Sequence, residues 1–272
     1  MERSEKVDNR YNNFKLFCSQ ITRTNIHVFR NNNFFRSIVE NVNEDFGKQY
    51  HKNVMEQYND YINLSDIDWS ELEIVMKIGS PITMDNYNIN GTNYRFSPTV
   101  MRYFQFTLDM LKHVKEKGSA YDLNVVEIGG GFGCQSVLFC YFAKFFNIKV
   151  KSYTIVDLEE VCNLQNHYIK EVLNTLQMYD ENIVSITAEE YTNENKADFV
   201  LSNYALGELN TYWQNYYIDN IIKKATYGYF CWNFSPANPD IHNYFKTVDN
   251  LVKEEENPQT NCAPVKSYIL RY

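Results

Sequence analysis

One glycine-rich stretch constrains the fold of this chain more than any other part of its sequence: Asn124-Val-Val-Glu-Ile-Gly-Gly-Gly-Phe-Gly-Cys-Gln-Ser136. The apolar residues before the first glycine are typical of a short buried strand, and those after Ser136 recur with helical spacing. Glycines stand where the backbone turns sharply or approaches a ligand so closely that a Cβ has no room. The stretch therefore predicts a strand, a tight turn, and a helix whose free N–H groups face a ligand.

The spacing of these glycines separates three kinds of nucleotide site. A dinucleotide fingerprint that begins at Gly129 requires its last glycine where Cys134 stands. A phosphate loop requires Gly-Lys followed by Ser or Thr, and the turn contains no lysine. The pattern that is present, an acid at Glu127 followed by alternating glycines, resembles the loop of class I S-adenosylmethionine methyltransferases. A turn that binds nothing is the alternative interpretation, but such a turn does not need three spaced glycines.

Composition limits the other classes of function. The 272 residues suffice for one large domain, or for one domain and an accessory region. A net charge of −8 argues against a broad nucleic-acid surface. The start of the chain is charged rather than signal-like, and no apolar stretch reaches the ~18 residues of a membrane span. Six scattered cysteines without a C-x-x-C pair favour reduced thiols in a cytoplasmic protein and give no support to zinc.

Residues 1–95 lack a strand-and-helix alternation and instead predict short helices. Asn31-Asn-Asn33 is expected to cap one helix, and Ser70 is expected to be the N-cap of another. Asn90-Gly91 predicts a hairpin turn. We expect this region to be a helical cap on the acceptor side of an active site. A packing appendage or a dimer arm, which allows a homodimer, is the alternative interpretation.

Residues 96–272 have the alternation of an α/β fold. Ser97-Pro98 begins a strong helix, with proline at the first helical position. Five further strands and their helices follow the glycine turn. The predicted strands are 148–156, 183–187, 197–202, 227–233 and 267–271, and the predicted helices are 158–176, 211–225 and 241–253. This order predicts a mostly parallel, Rossmann-like sheet with helices on both faces, and a ligand site beyond the carboxyl ends of the strands.

That rule gathers several acids at one edge of the sheet. Asp157 follows the second strand of the α/β region, about 24 residues after the glycines, where an acid accepts hydrogen bonds from ribose hydroxyls. Glu127 is expected to bind the cofactor's ammonium group. In the methyltransferase fold the turn after the third strand often supplies an acid near the adenine, and Glu189 is preferred there to Glu190. Arg102 is a candidate for the cofactor carboxylate or for an acidic acceptor, with a surface ion pair as the alternative.

The chain from about residue 95 to 235 resembles the family of putative sugar O-methyltransferases found with surface-polysaccharide genes. The resemblance rests on Val126-Glu-Ile-Gly-Gly-Gly-Phe-Gly-Cys-Gln135, Ile155-Val-Asp-Leu158 with Leu164-Gln165, and Leu201-Ser-Asn-Tyr-Ala-Leu-Gly-Glu-Leu209; the helix Ser97 to Tyr103 and the segment Tyr227-Gly-Tyr-Phe230 also fit. Gly207 departs from the expected serine, and the region before residue 95 is too divergent for residues to be matched. The resemblance implies S-adenosylmethionine as cofactor and a sugar, nucleotide-sugar or glycan acceptor in glycan biosynthesis. The cofactor-binding residues expected are Glu127, Gly129, Gly130, Gly131, Gly133, Gln135, Asp157, Leu158, Glu189, Ser202, Asn203 and Arg102.

Methyl transfer to a hydroxyl is an in-line displacement that a positioned base accelerates ~100- to 10,000-fold. Glu208 is the first candidate for this base, with Tyr204 orienting the acceptor, and His242 is the second. A helix cap or a partner of Arg102 is the alternative role for Glu208. Ser202-Asn203 stands where a metal site would need carboxylates, so no metal is expected, although Asp240 with His242 remains as a candidate pair. A methyltransferase for a non-sugar hydroxyl, such as an aromatic one, and a non-catalytic cofactor-binding module are the rival functions.

Overall fold

The computed structural model of the protein describes residues 2–118, 122–192, 197–233, 239–260 and 266–272. Its α-helices are α1 (Glu2–Ser19), α2 (Asn33–Ile38), α3 (Glu44–Gln57), α4 (Trp69–Met76), α5 (Pro98–Glu116), α6 (Cys134–Ala143), α7 (Glu159–Thr175), α8 (Ala205–Glu208), α9 (Thr211–Asn220) and α10 (Pro239–Lys246). Its strands are β1 (Asp85–Ile89), β2 (Thr92–Phe96), β3 (Leu123–Ile128), β4 (Val150–Asp157), β5 (Ile183–Thr187), β6 (Phe199–Asn203), β7 (Tyr227–Asn233), β8 (Val252–Glu255) and β9 (Ser267–Arg271). None of the helices described is long and apolar enough to cross a membrane.

The region before α5 is helical with one hairpin, as its sequence predicts. Asn90 and Gly91 join β1 to β2 with φ values of 51° and 86°, the left-handed pair that a tight hairpin turn needs. The side chain of Asn32 caps α2 by accepting the amide of Phe34 at 2.8 Å. The expectation for α4 is wrong by two residues, because Asp68 rather than Ser70 is its N-cap. A carboxylate at that position accepts two free amides at the positive end of the helix.

Seven strands form one sheet in the order β5-β4-β3-β6-β7-β9-β8. The pairs from β5 to β7 are parallel, and β9 runs antiparallel to both of its neighbours. The strand order reverses between β3 and β6, which opens a crevice beyond their carboxyl ends. The predicted Rossmann-like, mostly parallel sheet is thus confirmed.

One stretch near the end of the chain differs from its predicted structure. The helix expected over 241–253 is α10, which begins earlier, at Pro239, and ends at Lys246. The last residues of the predicted helix instead enter β8, an exposed edge strand that pairs with β9. A highly charged segment gives no periodic apolar signal for a strand, and its pairing depends on a partner that follows it by about a dozen residues.

The region before α5 and the glycine turn share one hydrophobic core. Phe132, inside the turn, is fully buried. Its ring centroid lies 5.7 Å from that of Phe29, 5.8 Å from that of Phe35 and 4.8 Å from that of Tyr168. Replacing a buried phenylalanine by alanine costs about 3–5 kcal/mol, so this cluster is a substantial attachment between the two parts of the chain.

A buried arginine reinforces that attachment. The Arg30 guanidinium lies 5.0 Å from the centre of the Phe132 ring and forms a salt bridge with Glu40. It also donates to the Met76 carbonyl at 2.6 Å and to the Ser97 hydroxyl at 2.8 Å. All of its charge is therefore compensated inside the protein, which a buried cation requires.

Candidate active site

A cavity of about 1440 Å³ lies beyond the carboxyl ends of β3, β4 and β6. Its floor is the glycine turn, and residues from α1 and α2 form part of its wall. Of the residues predicted to bind a cofactor, these line it: Glu127, Gly129, Gly130, Gly131, Asp157, Leu158, Glu189, Asn203 and Arg102. Tyr204 and Glu208 line it as well. The strand ends thus bring together most of the residues that the sequence singles out.

The glycine turn has the backbone that its sequence predicts. Gly129 and Gly131 have φ values of 75° and 59°, in the left-handed region. A Cβ on Gly129 would lie 2.2 Å from the Cβ of Ala205, and one on Gly131 would lie 3.3 Å from the Tyr103 hydroxyl. Both positions therefore combine an unusual backbone conformation with close neighbours, and glycine alone meets both conditions.

Glu127 ends up buried against the turn, with 2% of its surface exposed. Its carboxylate accepts a hydrogen bond of 2.9 Å from the Tyr153 hydroxyl. Burial raises the pKa of Glu127 to about 8, with a smaller contribution from the charge of Asp157, while the Tyr153 hydrogen bond opposes the rise. A positively charged group of a ligand beside Glu127 would stabilise the ionised carboxylate and lower its pKa. The site therefore favours a cationic ligand group at this position.

Asp157 is tied to the glycine turn. One carboxylate oxygen accepts the Gly130 amide at 3.0 Å and the side chain of Gln165 at 2.8 Å, and the other accepts the Leu158 amide at 2.8 Å. Burial raises its pKa to about 6 against these hydrogen bonds. Gln165 also donates to the Gly131 carbonyl at 3.1 Å, so it links the turn to the acid. Gln165 is among the residues that carry the family resemblance, but the sequence assigned it no role of its own.

The side of the cavity beyond Asp157 combines an apolar residue with acids. Leu158 is 40% exposed there, unusually much for a large apolar side chain. Glu190 accepts the Thr187 amide at 2.8 Å, which occupies one of its carboxylate oxygens. Glu189 lines the same wall and is exposed. Glu190 also lines this wall and is exposed, so the preference for Glu189 stays a prediction.

Three of the predicted cofactor-binding residues lie behind the cavity rather than on it. Ser202 donates to the Ile128 carbonyl at 2.8 Å, which fastens β6 to β3. Gln135 donates to the Thr107 hydroxyl at 2.5 Å and joins α6 to α5. Gly133, with a φ of 88°, is the N-cap residue of α6. They shape the site from outside its lining.

Two buried polar atoms at the cavity have no hydrogen-bond partner within the described part of the chain. They are Oδ1 of Asn203 and Nε of Arg102. Arg102 is 8% exposed, donates from Nη1 to Asn41 at 3.3 Å, and forms no salt bridge with any described residue. Its guanidinium lies 5.1 Å from the centre of the Tyr204 ring. A buried cation without a carboxylate partner favours an anionic group in the cavity beside it.

The candidate bases differ in their placement. Glu208 ends α8 and is exposed at the cavity, where reduced solvation raises its pKa and Arg10 opposes the rise. His242 lies on α10 with its ring 5.8 Å from that of Trp232, and it is not among the described residues that line the cavity. Burial, then Lys246 and Lys253, lower the His242 pKa. Among the described residues, no group of His, Cys, Asp and Glu side chains could hold a metal ion.

A buried carboxylate that the sequence does not single out lies beneath Tyr204. Glu256, between β8 and β9, is 2% exposed. It accepts the hydroxyl of Tyr204, the hydroxyl of Tyr50 at 3.0 Å, and both the amide and the hydroxyl of Thr260, at 3.3 and 2.7 Å. Glu256 belongs to a run of three glutamates, and such a run is typical of a solvent-exposed segment. The sequence therefore gives no indication that Glu256 is buried.

Comparisons with known proteins return similar folds at low identity. No family model and no curated protein matches the chain. The magnesium protoporphyrin IX methyltransferase of Synechocystis PCC 6803 with bound SAM is 14% identical, covers 85% of this chain and 98% of its own, and gives a TM-score of 0.42. The N-methyltransferase NodS of Bradyrhizobium japonicum WM9 with S-adenosyl-L-homocysteine is 14% identical, covers 62% and 86%, and gives 0.42. Similarities at these levels identify neither a substrate nor a cofactor.

Proposed function

We propose that the protein is an S-adenosylmethionine-dependent methyltransferase that methylates a hydroxyl of a sugar or glycan. One observation carries the cofactor: a glycine turn at the switch point of the sheet has a buried, protonatable acid on one side and a ribose-type acid on the other. Nε of Arg102 and Oδ1 of Asn203, which have no hydrogen-bond partner among the described residues, can form hydrogen bonds with a ligand in the same cavity. This set suits a ligand that combines an ammonium, a carboxylate and ribose hydroxyls.

Each group of that ligand has a counterpart in the cavity. Glu127 would take the ammonium, Arg102 the carboxylate and Asp157 the ribose hydroxyls, while Leu158 and Glu189 would receive the adenine. When bound, S-adenosylmethionine supplies an activated methyl group on a sulfonium. Gly129, Gly130 and Gly131 line the cavity, and the left-handed turns at Gly129 and Gly131 leave no side chain to keep a ligand away from the backbone.

The acceptor hydroxyl needs alignment and a proton acceptor. Glu208, exposed at the cavity, is proposed as the general base, and its raised pKa moves it toward the range in which a base is effective near neutral pH. Tyr204 is proposed to orient the acceptor. His242 serves as the comparison, since the structure places it away from the cavity lining.

A second candidate function is methylation of an aromatic hydroxyl. Part of the cavity wall is aromatic, with Tyr11, Phe46 and Trp213 among its lining residues. Such a wall would stack against a planar acceptor, whereas a sugar would use the polar positions.

Two measurements test the proposal. Calorimetry should detect binding of S-adenosylmethionine and S-adenosylhomocysteine and no binding of NAD. A methyl-transfer screen against nucleotide sugars, short glycans and phenols, followed by mass spectrometry, should then show the mass increase of one methylene in members of one class. Tight NAD binding without any response to the methionine cofactor would refute the cofactor assignment. Methylation of phenols alone would move the function to the second candidate.

A further inference from the structure

Glu256 is buried behind Tyr204 and Thr260, which line the cavity, and Arg102 is close enough for its charge to interact with that of Glu256. No salt bridge to it occurs in the parts of the chain that the structure describes. Its two oxygens instead accept four hydrogen bonds, two on Oε1 from Tyr50 and Tyr204, and two on Oε2 from Thr260. A carboxylate has about four lone-pair sites, so Glu256 has no free capacity for a ligand.

The hydrogen bonds to Glu256 fix the direction of the Tyr204 and Thr260 hydroxyl groups. A carboxylate only accepts, so Tyr204 and Thr260 must each direct their single hydroxyl hydrogen at Glu256. The two hydroxyl oxygens lie 3.2 Å apart, and neither has a hydrogen left for the other. Both residues line the cavity. What they can offer a ligand there is two neighbouring lone pairs, which call for a hydrogen-bond donor.

The backbone of Tyr204 is strained, and the hydrogen bond from its hydroxyl to Glu256 offers a reason for that strain. Tyr204 has a φ of 69°, a region that bulky residues rarely adopt. Such strain costs of the order of 1–3 kcal/mol and tends to persist where function requires it. It brings the hydroxyl to Glu256 while the ring stays beneath the Arg102 guanidinium.

We propose that Glu256 is a positioning residue that fixes Tyr204 and Thr260 as paired hydrogen-bond acceptors, and that this pair binds a neutral hydroxyl group of the methyl acceptor. The inference rests on the proposed function and specifies the acceptor's chemistry. An anionic group has no hydrogen to donate to these two oxygens, whereas a sugar hydroxyl can donate its hydrogen to one of them. Specificity then comes from polarity as well as from shape.

Substitutions separate this role from simple support. Tyr204→Phe and Thr260→Val each remove one acceptor oxygen with little change in volume. Tyr50→Phe is the matched control, because it also removes a hydrogen bond to Glu256 but Tyr50 is not among the cavity-lining residues. Glu256→Gln replaces one oxygen by an NH₂ group, so at least one of the hydroxyls must accept from it and turn its hydrogen away. The cavity would then present a hydrogen-bond donor where the wild type presents an acceptor.

The probes are neutral methyl glycosides of glucose, mannose and galactose, with glucuronate as the anionic counterpart. Binding to the complex with S-adenosylhomocysteine is followed by saturation-transfer NMR. We expect at least one glycoside to bind the wild type, at least tenfold weaker binding in Tyr204→Phe and Thr260→Val, and a change below twofold in Tyr50→Phe. In Glu256→Gln, glucuronate should gain relative to the glycoside, whereas a merely structural defect would weaken both.

Two results would overturn the inference: failure of every glycoside to bind the wild-type complex, or unchanged glycoside binding in both Tyr204→Phe and Thr260→Val. Calorimetry with S-adenosylhomocysteine on the same samples keeps the two proposals apart. If the wild type does not bind S-adenosylhomocysteine, the proposed function is refuted. If it binds S-adenosylhomocysteine but no glycoside, this inference alone is refuted.

Discussion

Glu127→Gln should make the protein more stable at alkaline pH and a weaker binder of its cofactor. In the wild type, burial raises the Glu127 pKa from 4.5 to about 8, so folding favours the protonated carboxyl. A folded-state pKa above the unfolded value adds stability that is fully present below pH 4.5 and is lost as the pH rises toward 8. Glutamine cannot ionise and should escape that loss, while its carbonyl can still accept the Tyr153 hydroxyl.

The size of the effect follows from the two pKa values. At about 1.36 kcal/mol for each pH unit, the interval from 4.5 to about 8 corresponds to an upper limit of about 5 kcal/mol. The amide nitrogen of the variant lacks an obvious acceptor, which costs about 1–3 kcal/mol. We therefore expect a net gain of roughly 1–3 kcal/mol at pH 8 and a loss of similar size at pH 5.

Cofactor binding should change in the opposite direction at pH 8. The ammonium group would lose a charged partner, for which charged hydrogen bonds contribute ~1.5–3 kcal/mol, or about one to two decades in Kd. In the wild type the same ammonium should expel the Glu127 proton. Binding of S-adenosylhomocysteine near pH 7 should then release about 0.9 proton, and affinity should rise as the pH approaches 8.

Thermal unfolding at pH 5 and 8, together with calorimetry in buffers of different ionisation enthalpy, measures both effects. Glu56→Gln, an exposed helical glutamate away from the cavity, is the control and should alter neither. Equal pH dependence of unfolding in the wild type and Glu127→Gln, with unchanged affinity and no proton release, would refute the reasoning about Glu127.

Three further predictions concern other residues of the cavity. Asp157→Ala should weaken S-adenosylhomocysteine binding by one to two decades in calorimetry, since a charged acceptor for two hydroxyls is lost; an unchanged Kd would exclude Asp157 from the ribose site. Glu208→Gln should lower turnover about 100-fold with cofactor binding intact, and His242→Ala should stay within a few-fold; the reverse result would transfer the role of base to His242. Gly129→Ala, with a Cβ 2.2 Å from a neighbouring side chain, should abolish cofactor binding and lower the melting temperature, whereas Gly91→Ala, at a φ of 86° with open space around it, should cost only about 1 kcal/mol of stability. Calorimetry that finds full cofactor binding in Gly129→Ala would contradict the close approach inferred at the turn.

The sheet was predictable because its signals are local. Four of the five parallel strands are short apolar runs followed by a helix, and the glycine turn and Asp157 mark the ends of two of them. The carboxyl-end rule then places Glu127, Asp157 and Asn203 together without any knowledge of long-range contacts. The predictions of the sugar acceptor, the division at residue 95 and the base remain predictions, since no local pattern determines them.

What sequence reasoning missed depends on partners distant in the chain. Glu256 is recognisable only once β8 pairs with β9 and brings it to Tyr50 and Tyr204, about 206 and 52 residues away. Ser202 and Gln135 are predicted to bind the cofactor, and their assignment stays a prediction. They sit beside functional residues in sequence, but alternation in the strand and rotation in the helix turn them toward the core rather than the cavity.

The burial of Phe132 has a consequence for how this chain can diverge. Its ring is packed between the helices that precede α5 and those that support the sheet, so residues 1–95 and the glycine turn share one set of packing constraints. A volume change at Phe29 or Phe35 would shift the turn itself and must be compensated there. Residues 1–95 therefore cannot diverge independently of the turn: substitutions that reshape the face packed on Phe132 should covary with Phe132 and Tyr168, and exchange of residues 1–95 between relatives should succeed only when those two positions are exchanged as well.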